Sequence, residues 1–256
     1  MQTKLPKLTI VGAGPGDPDL ITLKAITALK DAVVVLYDAL VNPELLSYIN
    51  PAAEQIFVGK RKGCYAYQQE QINELIVSRA YSHGHVVRLK GGDPFIFGRG
   101  AEEMEFAAER GVQVAMVPGI SSAIAVPAYN NIPMTKRGSS ESFWVITGTT
   151  KEHKISEDVA LAAKSSATVV ILMGMSKLGT ICELFRASGK DNTPVAIIQN
   201  GTCADEKIGI GTIGTIENVV AEKKLANPAV IVIGEVVNNH SQLKEIQHKA
   251  QITKIV

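Results

Sequence analysis

Leu8-Thr-Ile-Val-Gly-Ala-Gly-Pro-Gly-Asp17, running on into Pro18-Asp-Leu-Ile-Thr-Leu-Lys-Ala25, is the stretch that decides the fold. Four residues that suit a strand, three of them apolar, enter a glycine-rich turn and then a helical segment, so a buried strand hands over to a helix through a loop almost free of side chains. At such a junction backbone amides and the positive end of the helix dipole can meet a ligand. The spacing differs from a dinucleotide-binding loop. G-x-G-x-x-G would place its third glycine where Asp17 stands, whereas here it comes one place early at Gly16, and Pro15, Asp17 and Pro18 crowd the helix entrance.

Two more turns of this kind follow apolar runs: Gly91-Gly-Asp-Pro-Phe-Ile-Phe-Gly-Arg-Gly100 and Pro118-Gly-Ile-Ser-Ser122. Strand-like runs at 8–11, 33–37, 55–58, 86–89 and 112–117 alternate with helical stretches at 67–81 and 101–109, which specifies a parallel sheet covered by helices. Residues 119–140, with Pro127, Pro133 and Gly138, read as an irregular bridge. A second series has strands at 143–147, 167–173, 194–199, 207–212 and 229–233, with helices at 156–163, 177–187 and 216–221. The close spacing of two strands around 199–210 suggests a hairpin, hence a mixed sheet. The expected architecture is α/β in two lobes: a parallel-sheet lobe over 1–134 with the glycine-rich loops, and a mixed-sheet lobe over 135–240. A polar tail follows at 241–256.

Lys plus Arg number 26 against 25 Asp plus Glu in 256 residues, a net charge of +1, which argues against an extended nucleic-acid surface or a polybasic membrane segment. Any anionic ligand must be met by local basic clusters. Cys64, Cys182 and Cys203 are odd in number and form no C-x-x-C pair, so they read as ordinary thiols in a reducing cytoplasm, without disulfide framework or zinc. No signal peptide and no membrane anchor is read from the chain, because no apolar run approaches the roughly 18 residues that span a bilayer. His83 and His85, either side of Gly84, read as solvated turn residues, with no carboxylate or thiol to complete a metal set.

Three clusters remain as candidates for chemistry. Asp38 ends the run Ala32-Val-Val-Val-Leu-Tyr-Asp38, at the strand edge where open α/β sheets bind ligands; with Asn42-Pro43 close behind, a turn or capping role is equally open. Gly59-Lys-Arg-Lys-Gly63 is either a solvated loop or an anion and proton-transfer site. In 91–100, glycines enclose two aromatics, Asp93 and Arg99: exposed backbone lets a ligand approach, a carboxylate accepts from donors, and a guanidinium forks onto carboxylates. Lys136-Arg137 offers a further basic pair in the bridge.

These segments, together with Leu36-Tyr-Asp-Ala-Leu-Val41, Val58-Gly-Lys-Arg61, Arg88-Leu-Lys-Gly-Gly-Asp93, Val117-Pro-Gly-Ile-Ser-Ser122 and Leu172-Met-Gly174 in this order, resemble the tetrapyrrole (precorrin) methyltransferases that use S-adenosylmethionine, from about Leu8 to Val237. Within that family the resemblance is greatest to the members that methylate uroporphyrinogen III. It implies two α/β domains with the cofactor in a cleft between them, a homodimer, and C-methylation at C2 and C7 to give precorrin-2 through precorrin-1, with S-adenosylhomocysteine as by-product. It implies cofactor contacts from Gly14, Pro15, Gly16, Gly91, Gly92, Asp93, Ile96, Ser121, Ser122, Met173 and Gly201. Asp38 becomes the proton acceptor, Lys60 the donor, and Arg99, Glu102 and Arg137 the contacts to the tetrapyrrole. The chain departs from the family pattern at Thr149 and Lys136, where many members carry His.

Three other readings stay open at this point. A methylase acting at another ring position shares the cofactor loops. A dinucleotide-binding oxidoreductase fits strand, glycine loop and Asp38, but not the position of the third glycine. A non-catalytic nucleotide-binding module leaves Lys60 and Arg99 unexplained.

Overall fold

The computed structural model describes residues 5–59, 67–243 and 245–246; Lys60, with Arg61, Lys62 and Cys64, lies outside the described residues. The chain divides into two units, 1–121 and 122–256.

In the first unit β1 (Lys7–Gly12), β2 (Val34–Tyr37), β3 (Glu54–Phe57), β4 (His85–Lys90) and β5 (Gln113–Val117) form one sheet in the order β3-β2-β4-β1-β5. Every pairing is parallel. Helices α1 (Leu23–Lys30), α2 (Gln69–His83) and α3 (Gly100–Ala108) cover it. Alternation along the strands sorts the side chains onto two faces. Leu8, Ile10, Val34, Leu36 and Val86 pack with Ile72, Ile76 and Ala80 of α2 and Ala107 of α3. Val11, Val35, Val87, Leu89 and Val117 pack on the other face with Ala25 and Leu29 of α1. Each such Val or Leu taken out of water contributes about 1.5–3 kcal/mol, so both faces favour a central position for these strands.

Local chemistry sets the helix ends. The Thr22 hydroxyl accepts from the Ala25 amide at 3.1 Å to open α1, and the Gln71 side chain accepts from the Gln68 amide at 2.9 Å to open α2. Gly84 takes φ 98°, stops α2 and turns the chain directly into β4.

The second unit holds α4 (Ser122–Tyr129), β6 (Phe143–Thr147), α5 (Asp158–Lys164), β7 (Thr168–Leu172), α6 (Leu178–Ala187), β8 (Pro194–Gln199), β9 (Lys207–Thr212), α7 (Ile216–Lys223) and β10 (Ala229–Ile233). Its sheet runs β6-β7-β10-β8-β9 and is mixed: β6 is parallel to β7, while β10 is antiparallel to both β7 and β8. β8 and β9 are the expected hairpin. Cys182 lies in this core, where burial pushes its thiol up to about 11, in keeping with an inert cysteine.

Three readings of the sequence need correction. The stretch read as an irregular bridge contains α4 with Pro127 inside it, and Ala123, Val126 and Ile132 pack on Val170, Ala196 and Val230. The division between units therefore falls at Ser121/Ser122, against 134/135 expected from the sequence. His240, the last residue of the expected second lobe, is buried, with Nδ1 donating to the Asn130 carbonyl at 2.7 Å. His85 is half-buried: Nδ1 donates to the Asp31 carbonyl at 3.2 Å, and Nε2 meets the Thr9 hydroxyl at 2.8 Å.

Burial, reinforced by Lys7, outweighs the pull of Asp31 and lowers the His85 pKa below the ordinary value of about 6.5. The unfolded chain therefore takes up this proton first. The stability contributed by neutral His85 is complete above about pH 6.5 and is lost as pH falls through the lowered folded value. Thermal unfolding followed from pH 7.5 to pH 5 is expected to show a smaller fall in Tm for His85→Gln than for the parent; identical slopes would show that His85 is not a source of the acid sensitivity.

Candidate active site

β1 leads through α1 across β4 to β2, while β4 leads through α3 across β1 to β5. The two crossovers run on opposite faces, as the two core clusters show, so the carboxyl ends of β1 and β4 flank a switch point where an open α/β sheet leaves a crevice. The first two glycine-rich loops start there. Ala13 N donates to the Lys90 carbonyl at 2.8 Å, then Gly14 N donates to the Gly92 carbonyl at 3.2 Å and Gly92 N to the Gly14 carbonyl at 2.7 Å. The third loop joins through Asp93, whose Oδ2 accepts from Gly119 N at 3.1 Å and whose Oδ1 accepts from Phe95 N at 2.8 Å.

No side chain fits where the three loops meet. A Cβ on Gly12 would lie 2.4 Å from Gly119 N and 2.8 Å from the Gly92 carbonyl oxygen, and one on Gly119 would lie 2.3 Å from that same oxygen. Gly14 and Gly92 also take φ 81° and 66°. Asn42 ties the first loop down, its amide donating to the Gly16 carbonyl at 2.7 Å. A Cβ on Gly91 would come within 2.6 Å of Leu40 Cβ, so the second loop also packs on the turn after Asp38. What results is a cradle of main chain, suited to a ligand that comes close to backbone amides and carbonyls. Around it stand Leu40, Phe95, Ile96, Phe97 and Ile120, all exposed. Single exposed hydrophobics need no explanation, whereas five on the loops at one sheet edge make an apolar rim.

Asp38 sits beside the cradle, at the carboxyl end of β2. Oδ1 accepts from Leu40 N at 3.1 Å, the turn role, and Oδ2 accepts from Arg88 Nη2 at 3.2 Å, an ion pair. The turn role expected of this residue is therefore present. Arg99 is the residue before α3, with φ 59°, and its guanidinium makes a bidentate pair with Glu102 down to 2.6 Å on the surface. The second unit carries the remaining expected residues. Met173 leaves β7 at φ 56°, half-exposed, and its carbonyl accepts from the Thr149 hydroxyl at 2.9 Å. Gly201 is buried between Asn200 and Thr202, both at positive φ, and a Cβ there would stand 2.3 Å from Val126. Glu206 holds this turn by accepting from Thr202 N at 2.8 Å. Lys136 Nζ donates to Asn239 at 3.1 Å and Gln242 at 3.3 Å, while Arg137 is exposed.

Reading by motif missed a set of buried charges. Arg88, Lys90 and Glu103 are each at most 5% exposed. Glu103 Oε1 accepts from Lys90 Nζ at 3.0 Å, from Gln69 Nε2 at 3.0 Å and from Arg88 Nε at 3.4 Å. Burial, with Arg88 alongside, lowers the Lys90 pKa despite Glu103. The signal was in the alternation: Arg88 and Lys90 fall on the same face of β4 as Val86, and Asp38 on the same face as Leu36. Gly12 and Gly119 were quoted in the loops without being assigned a role.

Comparison with known proteins agrees with this geometry. Residues 7–217 match the family model described as Tetrapyrrole (Corrin/Porphyrin) Methylases. A Methanocaldococcus jannaschii protein named uroporphyrinogen-III C-methyltransferase is 46% identical over 91% of this chain and 97% of its own length. Among solved structures, a uroporphyrin-III C-methyl transferase from Thermus thermophilus complexed with S-adenyl homocysteine superposes with a TM-score of 0.79 at 34% identity, covering 91% of this chain and 99% of the other. A cobalt precorrin-4 methyltransferase does so with a TM-score of 0.80 at 28% identity, over 90% and 95%. With its switch-point cradle, its mixed second sheet and a match along most of its length, the chain belongs to the tetrapyrrole methylase family.

Proposed function

We propose that the chain transfers methyl groups from S-adenosylmethionine to C2 and C7 of uroporphyrinogen III, giving precorrin-2 by way of precorrin-1. The observation that carries this reading is the junction of Gly12, Gly92 and Gly119 beside an ion-paired Asp38. It joins a backbone cradle to a carboxylate and is rimmed by apolar side chains that suit a macrocycle. The choice of ring position rests on identity: 46% with a relative named for uroporphyrinogen III against 28% with one named for cobalt precorrin-4. The fold is common to both and does not separate them.

S-adenosylmethionine supplies an electrophilic methyl group on a sulfonium. Gly14, Pro15, Gly16, Gly91, Gly92, Asp93, Ile96 and Ser121 of the first unit are proposed to bind it, with Ser122, Met173 and Gly201 of the second. The side-chain-free junction fits such a ligand, because main-chain groups can approach it where a Cβ would stand. The positions of Gly92 and Gly119 leave no room for adjustment, which serves orientation; holding carbon and methyl in line supplies several kcal/mol of the barrier in reactions of this class, about 7–11 in the best-oriented cases. Asp38 accepts the proton that the ring carbon system loses, and Lys60 donates where a ring nitrogen is reprotonated, a role carried by the family resemblance. Arg99, Glu102 and Arg137 meet the carboxylates and pyrrole nitrogens of the substrate, which requires the Arg99–Glu102 pair to open or to present its outer edge. A homodimer in the cytoplasm belongs to the same proposal and rests on the resemblance alone.

The test is anaerobic incubation of the purified chain with uroporphyrinogen III and S-adenosylmethionine, followed by mass spectrometry. A gain of two methyl groups through a one-methyl intermediate is expected, and tight cofactor binding without any gain would redirect the reading to a later precorrin. Asp38→Asn should retain cofactor affinity and lose about 10²- to 10⁴-fold in kcat, the range for a removed general base; unchanged turnover would take Asp38 out of the chemistry. Gly119→Ala forces its methyl against the Gly92 carbonyl, so S-adenosylmethionine affinity by calorimetry should fall on the order of tenfold or more, with destabilisation of about 1–3 kcal/mol. Parental affinity in that variant would detach the junction from cofactor binding.

A further inference from the structure

The four charges Asp38, Arg88, Lys90 and Glu103 form a chain on one face of the sheet. Register puts them there. Leu36 of β2 pairs with Arg88 of β4, and the next residues on that face are Asp38 and Lys90, beyond the apolar pair Val34 and Val86. The α2/α3 face of the sheet is therefore hydrocarbon at its centre and charged at its carboxyl end. Two cations two residues apart on a buried strand repel each other and are costly to desolvate, so they need a carboxylate between them. α3 supplies it from its first turn: Glu103, 1% exposed, with one oxygen shared by Arg88, Lys90 and Gln69. Its other oxygen is buried and has no hydrogen-bond partner among the described residues. A carboxylate fixed this way costs stability, and nothing in the hydrocarbon packing of α3 requires it.

We propose that Glu103 is a positioning residue for the reaction: by neutralising Lys90 and seating the Arg88 guanidinium, it leaves Arg88 Nη2 to hold Asp38 Oδ2 at the edge of the cradle, partly open to solvent. Arg88 is the hinge of this arrangement. Its Nη1 donates to the Leu89 carbonyl at 2.8 Å, Nε faces Glu103 and Nη2 faces Asp38, so one rigid plane carries the position of a buried carboxylate to one that can reach substrate. Two carboxylates against two cations leave the group neutral. Without Glu103, both cations would draw on Asp38 alone, pulling it inward and weakening its hold on a proton. Among the described residues, Glu70 on α2 and Arg99 and Glu102 at the start of α3 are the exposed charges nearby, and Arg99 feels both Glu70 and Glu103.

The proposal rests on Asp38 as proton acceptor, and its test separates the two. Full-length protein labelled with ¹³C at the aspartate carboxyls, with the Asp38 signal assigned by its loss in Asp38→Asn, gives the Asp38 titration midpoint without any turnover. Glu103→Gln keeps the shape of the side chain and is expected to move that midpoint down. It should also lower kcat on the order of 10- to 100-fold, with S-adenosylmethionine affinity within about twofold of the parent, as for a misplaced rather than a missing group. Should Glu103→Gln fail to fold, Lys90→Met is read in the same way: with one cation gone and Glu103 left to Arg88 alone, the Asp38 midpoint moves up. An unmoved midpoint in the variant that folds, or a loss of cofactor affinity in step with kcat, overturns the positioning role. If Asp38→Asn itself turns over at the parental rate, the reading of Asp38 fails instead, whatever the midpoints do.

Discussion

Three backbone segments approach one another at Gly12, Gly92 and Gly119 more closely than any side chain allows, and the rest of the first unit is arranged around that approach. It depends on the parallel sheet, because β1 lies between β4 and β5, with Gly12 opposite Lys90 at the end of β4 and Val11 opposite Val117 at the end of β5. It also depends on Asp93, which spends both carboxylate oxygens on amides of the second and third loops. Asp93 thus shapes the cradle from within, and its proposed contact with cofactor is left to its backbone. The loops are held chiefly by main-chain pairing, the Asp93 carboxylate and the Asn42 amide. That frees Leu40, Phe95, Ile96, Phe97 and Ile120 to face outward.

How much of this the sequence disclosed varies with the physics involved. Strands buried on both faces are short, continuous apolar runs, and the bounds of β8 and β10 coincide with their expected spans, as do those of the edge strands β6 and β9. The hairpin followed from spacing alone. Residues 122–129 were misread because Pro127 and the neighbouring prolines argue against a helix locally, while the packing of Ala123 and Val126 on β7 and β10 is tertiary and leaves no local mark. His85 was misread for the same reason: its neighbours in sequence say nothing of Asp31, which reaches it through the fold.

The site shows the same division. Glycines, Asp38 and Arg99 were legible because loops concentrate unusual residues at one place in the sequence. Arg88, Lys90 and Glu103 were not, because a charge in a strand reads as solvent-facing unless the strand is known to be central and the partner helix known to sit above it. The pairing of Arg99 with Glu102 was equally hidden, although the two are only three apart, since the left-handed conformation of Arg99 is what lets its side chain turn back onto α3. Thr149 gains a local account from the structure: its hydroxyl anchors the Met173 carbonyl at a strained turn, so a residue that departs from the family pattern still braces a proposed cofactor contact.

The strand order also separates this chain from a dinucleotide-binding enzyme with similar local features. In the dinucleotide arrangement the strand ending in the ribose-binding acid lies next to the one ending in the glycine loop. Here β4 lies between them, which sets Asp38 about 10 Å from the β1 axis at ordinary strand spacing. The same insertion puts Arg88 next to Asp38 and engages the carboxylate that a ribose would need. An acid two strands from the glycine loop and paired with a buried guanidinium is placed to act on a second ligand lying over β4, and it is poorly placed to hold the first. One change in strand order therefore turns a familiar junction of strand, glycine loop and acid from a site that grips one molecule into one suited to chemistry between two.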